Sequence, residues 1–190
     1  MPSTAPDVFR RYRLTVSDYH RIGEVGILHE DARVELIEGE IINMPPIGSL
    51  HAGTVKYLHH QLADAIRGRA IVSTQDPVFL DLHSEPQPDI ALLRPRADFY
   101  RVSHPTPADV LLIVEVADTS LAYDTQIKLP LYARHGIPEV WLVDLDNRQL
   151  IVHRSPTPDG FQDVRPLADL SAVTLLVLPG VTVNLSGLFA

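Results

Sequence analysis

The run DVLLIVEVA, residues 109–117, sets one carboxylate, Glu115, inside an almost unbroken apolar stretch. A short run this rich in Val, Leu and Ile is the pattern of a strand covered on both faces, which belongs in the middle of a sheet rather than at its edge. A charged carboxylate in such surroundings is costly unless something neutralises it. The fold must therefore bring a metal ion or a buried Arg or Lys to Glu115. A second acid, Asp89, follows Pro88 and opens another apolar run, DIALL. Two carboxylates thus stand at the edges of predicted strands.

The remaining elements surround this strand with a mixed α/β (α+β) pattern. Ser17 is expected to cap a short helix reaching about Gly23, after a start (residues 1–16) expected to be mobile. VELIEGEII then reads as two short strands turning at Glu38-Gly39. From Ser49 to Gly68, Val55, Leu58, Leu62 and Ile66 recur at intervals of three and four, with a capping serine before and a glycine after, which predicts a helix. AIVST, PVFLDL and DIALL predict consecutive strands, and a helical stretch over about 121–135 ends at Gly136. EVWLVDL and QLIVHR read as a hairpin, and the tail LLVLPGVTVNLSGLF as a further pair of short strands. With 190 residues, 45% hydrophobic and 21% charged, the chain is expected to form one domain, 1–190, with no internal repeat.

Composition narrows the chemistry. The chain has no cysteine, which removes disulfides, thiolate zinc sites and cysteine nucleophiles, so any metal must sit on oxygen or imidazole. No apolar run approaches the roughly 18 residues that span a bilayer, and MPSTAPDVFRRYRLT lacks the apolar core of a signal peptide; the expectation is a cytoplasmic protein with no membrane partner. A formal net charge of −8 argues against a non-specific nucleic-acid coat, although a carboxylate metal site adds negative charge of its own and a local basic face can coexist with it. Ser120 lacks His and Asp partners at motif spacing and reads as a helix cap. His59 and His60 have no zinc-ligand spacing. Trp141 reads as core.

Two readings fit the acids. Converging on a hard divalent cation, Asp89 and Glu115 would leave coordination sites open for water and a phosphate oxygen. Alternatively, Asp89 caps a turn and Glu115 pairs with a buried Arg or Lys.

Taken together, ELIEGEI, His51 opening a helix, QPDIALLRP, LLIVEVADTS and YDTQIKLPLYARHGIPEVWLVD occur in an order that resembles the Uma-two family of restriction-endonuclease-like proteins, within the PD-(D/E)XK nuclease superfamily. The resemblance covers about residues 33–154. It implies a restriction-endonuclease-like core, a central mixed β-sheet flanked by helices, with an active site where two neighbouring strands diverge. Asp89 matches the motif aspartate and Glu115 the (D/E) position, so that Asp89, Glu115 and the main-chain carbonyl near Val116 would hold Mg²⁺ or Mn²⁺.

The superfamily's usual lysine would fall at residue 117, which is alanine here; the resemblance points instead to Lys128 on the following helix. Asp124, Lys128 and Tyr132 are four apart and share one helical face. Pro130 kinks that helix or starts it anew. Without the resemblance, Asp124 and Lys128 read as an ordinary surface pair. Glu35 matches the first acid of ELIEGEI and could reach the metal through water, or else is an exposed hairpin acid; His51 could contact phosphate or the metal shell. The implied function is a metal-dependent DNA endonuclease, with DNA as substrate and a homodimer allowed for. The rival is a catalytically silent nuclease-fold module that binds nucleic acid or a protein partner, favoured by Ala117 and the acidic total.

Overall fold

The structure, a computed structural model, describes residues 11–29 and 31–190. Helix α1 (Val16–Glu24) is followed by strands β1 (Val34–Ile37) and β2 (Glu40–Asn43), helix α2 (Ser49–Ile66), and strands β3 (Ile71–Thr74), β4 (Ile90–Leu93) and β5 (Val110–Ala117). Helix α3 (Leu121–Tyr123), a π-helical turn (Asp124–Lys128) and helix α4 (Leu129–Arg134) then run end to end. Strands β6 (Glu139–Asp144), β7 (Gln149–Thr157), β8 (Gly160–Pro166), β9 (Val173–Thr174) and β10 (Thr182–Val183) complete the chain. Six strands form the main sheet in the order β3-β4-β5-β6-β7-β8, antiparallel throughout except for the parallel pair β5–β6. This is an α/β fold with a central mixed sheet flanked by helices. Among the described residues, no helix is long and apolar enough to cross a membrane.

Strand β5 is buried along its whole length, as its composition requires. Side chains alternate between faces of a strand. Leu112, Val114 and Val116 join the core that α2 closes with Val55, Leu58, Leu62 and Ile66, while Ile113 and Ala117 join the core beneath Leu129, Leu131 and Tyr132 of α4. Burying each such side chain stabilises the fold by about 1.5–3 kcal/mol. Alternation also assigns Glu115 to the α4 face.

The β1–β2 hairpin turns through Glu38 (φ 50°) and Gly39 (φ 83°), both left-handed, the combination that suits a two-residue hairpin turn. Gly39 has a second reason to be glycine, because a Cβ there would lie 2.6 Å from the Cβ of Arg13. The hairpin is pinned to the β3–β4 connection by Glu85 N–H to Leu36 carbonyl (2.8 Å) and Gly39 N–H to His83 carbonyl (2.7 Å).

Several sequence expectations need correction. Thr15, not Ser17, caps α1, accepting from the Asp18 N–H while Asp18 accepts from the Thr15 N–H, and the helix runs to Glu24. Ser49 is the first residue of α2 rather than its cap; Gly48 holds that position with no side chain to offer. PVFLDL forms no strand. It makes scattered bonds instead, among them Val78 N–H to Pro86 carbonyl and Phe79 N–H to Pro105 carbonyl (both 2.9 Å), and the buried Val78 and Leu80 produce its apolar signal. Strand β8, half-exposed and polar, was not anticipated. Of the start expected to be mobile, residues 1–10 lie outside the described residues; beyond them, Leu14 N–H bonds to the Gly39 carbonyl (3.0 Å) and Val16 N–H to the Leu82 carbonyl (2.8 Å).

Candidate functional site

The last pair joining β4 to β5 is Ile90 with Val114, so Asp89 and Glu115 face each other one step further on, where the strands part. The Asp89 N–H lies 3.5 Å from Glu115 Oε2, and the Val116 N–H donates to Asp89 Oδ2 at 2.9 Å. A residue's N–H and carbonyl project to the same edge of an extended strand. The Val116 carbonyl therefore also faces the Asp89 side, whereas the Ala117 carbonyl faces β6 and accepts from Leu145 N–H at 3.0 Å. His51, in the first turn of α2, places Nε2 3.1 Å from Asp89 Oδ2, and Gln75 Nε2 donates to Asp89 Oδ1 at 3.2 Å.

The opposite wall comes from the π-helical turn and α4. Leu129 N–H reaches back five residues to the Asp124 carbonyl. Pro130 has no N–H for the carbonyl four residues earlier, and its ring would crowd that carbonyl, so the widened turn falls immediately before it. Asp124, Lys128 and Tyr132 all turn inward and are buried. Lys128 Nζ sits 3.2 Å from Glu115 Oε1 and 3.3 Å from Glu35 Oε2, and the Tyr132 hydroxyl donates to Glu115 Oε1 at 2.5 Å. Ala117 shares Glu115's face and is packed under α4, where its small side chain leaves the ammonium to come from the helix.

Asp124 and Lys128 are thus not a surface pair, nor is Glu35, 1% exposed, a hairpin surface acid. Glu35 accepts from Gln87 N–H (3.1 Å) and from the Tyr123 hydroxyl (3.3 Å), and Asp124 accepts from the Ser120 hydroxyl (2.6 Å). Ser120 begins the helix but caps no backbone N–H. Glu35, His51, Asp89, Glu115, Asp124 and Lys128 border one cavity of about 360 Å³, while Tyr132 reaches Glu115 from behind it. Gln75, Gln87 and Tyr123 line the same cavity and were missed from sequence. A lone glutamine in a loop carries no signal, and the phase of Tyr123 depends on a π-helical turn that α-helical spacing does not foresee.

Four buried or nearly buried carboxylates, Glu35, Asp89, Glu115 and Asp124, lie near the ammonium of Lys128, which pairs directly with Glu35 and Glu115, while Asp89 pairs with His51. Burial pushes the Glu115 carboxyl up to about 8, against the pull of Lys128 and with the help of Asp124 and Asp89. Burial likewise raises Asp124. For Lys128, burial disfavours the ammonium, but Glu115, Glu35, Asp124 and Asp89 together carry it above its ordinary value. Burial would raise Asp89 too; the hydrogen bond and charge of His51, with Val116 N–H and Lys128, hold it below the usual carboxylate range. His51 is raised in turn by its bond to Asp89. Burial thus favours the protonated form of Glu115 beyond a carboxyl's ordinary behaviour.

Among the described residues, no group of three or more His, Asp or Glu side chains is arranged to hold a metal ion. Asp89, Glu115 and the Val116 carbonyl offer oxygen only, the donor type that hard divalent cations prefer.

A mixed sheet whose central strands part over an aspartate and a glutamate defines a class, the PD-(D/E)XK-like nuclease superfamily. The Uma2 family profile, described as "Putative restriction endonuclease", matches residues 16–186, and the chain belongs to that family. Among solved structures, one described as "a putative nuclease belonging to DUF820", from Anabaena variabilis, superposes with a TM-score of 0.70 at 18% identity, covering 93% of this chain and 97% of that one. At that identity the likeness concerns the fold. No protein with a curated description matches.

Proposed function

We propose that the chain hydrolyses phosphodiester bonds in DNA with Mg²⁺ or Mn²⁺ as cofactor. The observation that carries this reading is the crowding of Glu35, Asp89, Glu115 and Asp124 around one ammonium where β4 and β5 part, with the carboxylates of Asp89 and Glu115 at the open end and His51 beside Asp89. Asp89, Glu115 and the Val116 carbonyl are the proposed ligands. A divalent ion held there would supply Lewis acidity for phosphodiester hydrolysis. His51 and the Val116 N–H orient Asp89. Lys128, kept cationic by its carboxylate neighbours, is placed to position the attacking water or to meet negative charge developing on phosphate, an interaction stronger in the transition state than in the ground state. Glu35 holds the ammonium from its other side, and Tyr132 holds Glu115.

The test is cleavage of plasmid and single-stranded DNA by purified protein with Mg²⁺, Mn²⁺ or EDTA, beside Asp89→Ala. Metal-dependent cleavage lost in the variant supports the reading; equal cleavage by both proteins overturns it. A second reading, a silent nuclease-fold module binding nucleic acid or a protein partner, draws on Ala117 and on the engagement of Glu115 Oε1 by both Lys128 and Tyr132, which makes the cluster partly self-satisfied. That reading expects no cleavage with either ion and folding that is indifferent to both.

A further inference from the structure

We infer that Gln75 is a positioning residue, one that sets the orientation of the Asp89 carboxylate for the divalent ion; this rests on the metal site proposed above. Asp89 receives donors on both oxygens. His51 and the Val116 N–H share Oδ2, and Gln75 Nε2 is the side-chain donor to Oδ1. Bonds to one oxygen leave a carboxylate able to swing about it, and a donor on the other oxygen stops that rotation. Because Asp89 when ionised only accepts, the glutamine must present its NH₂ group, not its carbonyl.

The backbone of Gln75 is bent to the same purpose. Gln75 follows β3 with φ 57°, in the left-handed region that residues other than glycine and asparagine rarely adopt, and its N–H bonds to the Asp89 carbonyl at 3.1 Å. Of the seven non-glycine residues with positive φ among the described residues, Gln75 alone lines the cavity of the proposed site. Backbone strain held at such a place is a pointer to function rather than to stability. Main-chain and side-chain bonds from one residue thus tie Asp89 at both ends.

Gly and Asn variants separate this role from a merely structural one, since both tolerate a left-handed backbone and neither can deliver the amide to Oδ1. Mn²⁺ affinity would be measured by calorimetry, and folding by thermal denaturation without metal, for wild type, Gln75→Gly, Gln75→Asn and Asp89→Ala. The expected result is about 10-fold weaker Mn²⁺ binding in both Gln75 variants, the size seen when partners of metal ligands are lost, with an unchanged or higher Tm for the glycine variant. Gln75→Glu should bind Mn²⁺ differently from both, because it sets a second carboxylate against Asp89. A lower Tm with unchanged Mn²⁺ affinity would overturn the inference while Asp89→Ala still abolished binding. Unchanged binding in Asp89→Ala would overturn the metal site and the inference with it.

Discussion

Two carboxylates lie buried on neighbouring strands of one sheet, and they are treated in opposite ways. Glu139, on β6, is fully buried and completely answered: Arg154 donates to Oε1 through Nε (2.9 Å) and Nη2 (2.6 Å), Trp141 Nε1 adds a third bond (3.0 Å), and Leu176 N–H satisfies Oε2 (2.8 Å). Glu115, on β5, shares Lys128 with Glu35, with Asp89 and Asp124 close by. A balanced cluster ties the C-terminal segment to the sheet and has no use for a ligand. An unbalanced one, on the function proposed above, is completed by a cation. On that reading the comparison separates buried charge that serves stability from buried charge that is kept for binding, a distinction that burial alone does not make.

The largest expected effect lies on the balanced side. Glu139→Ala should cost about 3 kcal/mol of stability, seen as a lower urea midpoint, because it strands Arg154 and the Trp141 and Leu176 N–H groups, while leaving divalent-ion affinity untouched. A midpoint equal to wild type would remove the contrast.

Lys128→Ala should lower the cleavage rate by about 10²-fold or more with little change in metal affinity, as loss of a transition-state contact does. Cleavage at the wild-type rate would show that the helix-borne ammonium does not act in the chemistry.

Glu115→Gln sharpens the contrast further. Burial pushes the Glu115 carboxyl up to about 8, so at neutral pH folding favours a proton that the unfolded chain has lost, and a neutral amide that still accepts from Tyr132 should raise metal-free stability at pH 7 above wild type. Stabilisation by Mn²⁺ should vanish in the same variant. A large loss of metal-free stability would place Glu115 with Glu139 as a structural anchor.

The smallest effect concerns a third case, a buried imidazole with no charged partner. His153 on β7 is buried, its Nδ1 has no hydrogen-bond partner, and burial holds its pKa below the ordinary 6.5. The unfolded chain then binds the proton more readily than the folded one, so the contribution of His153 is constant above about pH 6.5 and turns unfavourable as pH falls through that value. His153→Leu should flatten this part of a denaturation profile measured against pH. A profile identical to wild type would mean that other groups set the acid limb.

Much of this was legible in residues. Glu115 inside an apolar strand, Asp89 after Pro88 and the order of motifs pointed to the two acids and the sheet that carries them. Glu35 was half legible: its position in ELIEGEI marked it, but its burial follows from the hairpin lying against the π-helical turn, which no local pattern encodes. PVFLDL misled because its apolar side chains enter the core from a chain that pairs with no neighbouring strand, and alternation cannot tell core-facing loop from ladder.

The sequence by itself determined which strands are buried on both faces and which carboxylates sit in them, because hydrophobic periodicity and the cost of burying charge are local properties of the chain. Tertiary structure alone decided how those charges are met. Whether Lys128 lies on the surface or beside Glu115 depends on a π-helical turn ahead of Pro130, and whether Glu139 or Glu115 is fully answered depends on Arg154 and Leu176 arriving from distant strands and loops. Electrostatic balance is a sum over neighbours in space, and the chain acquires those neighbours only by folding.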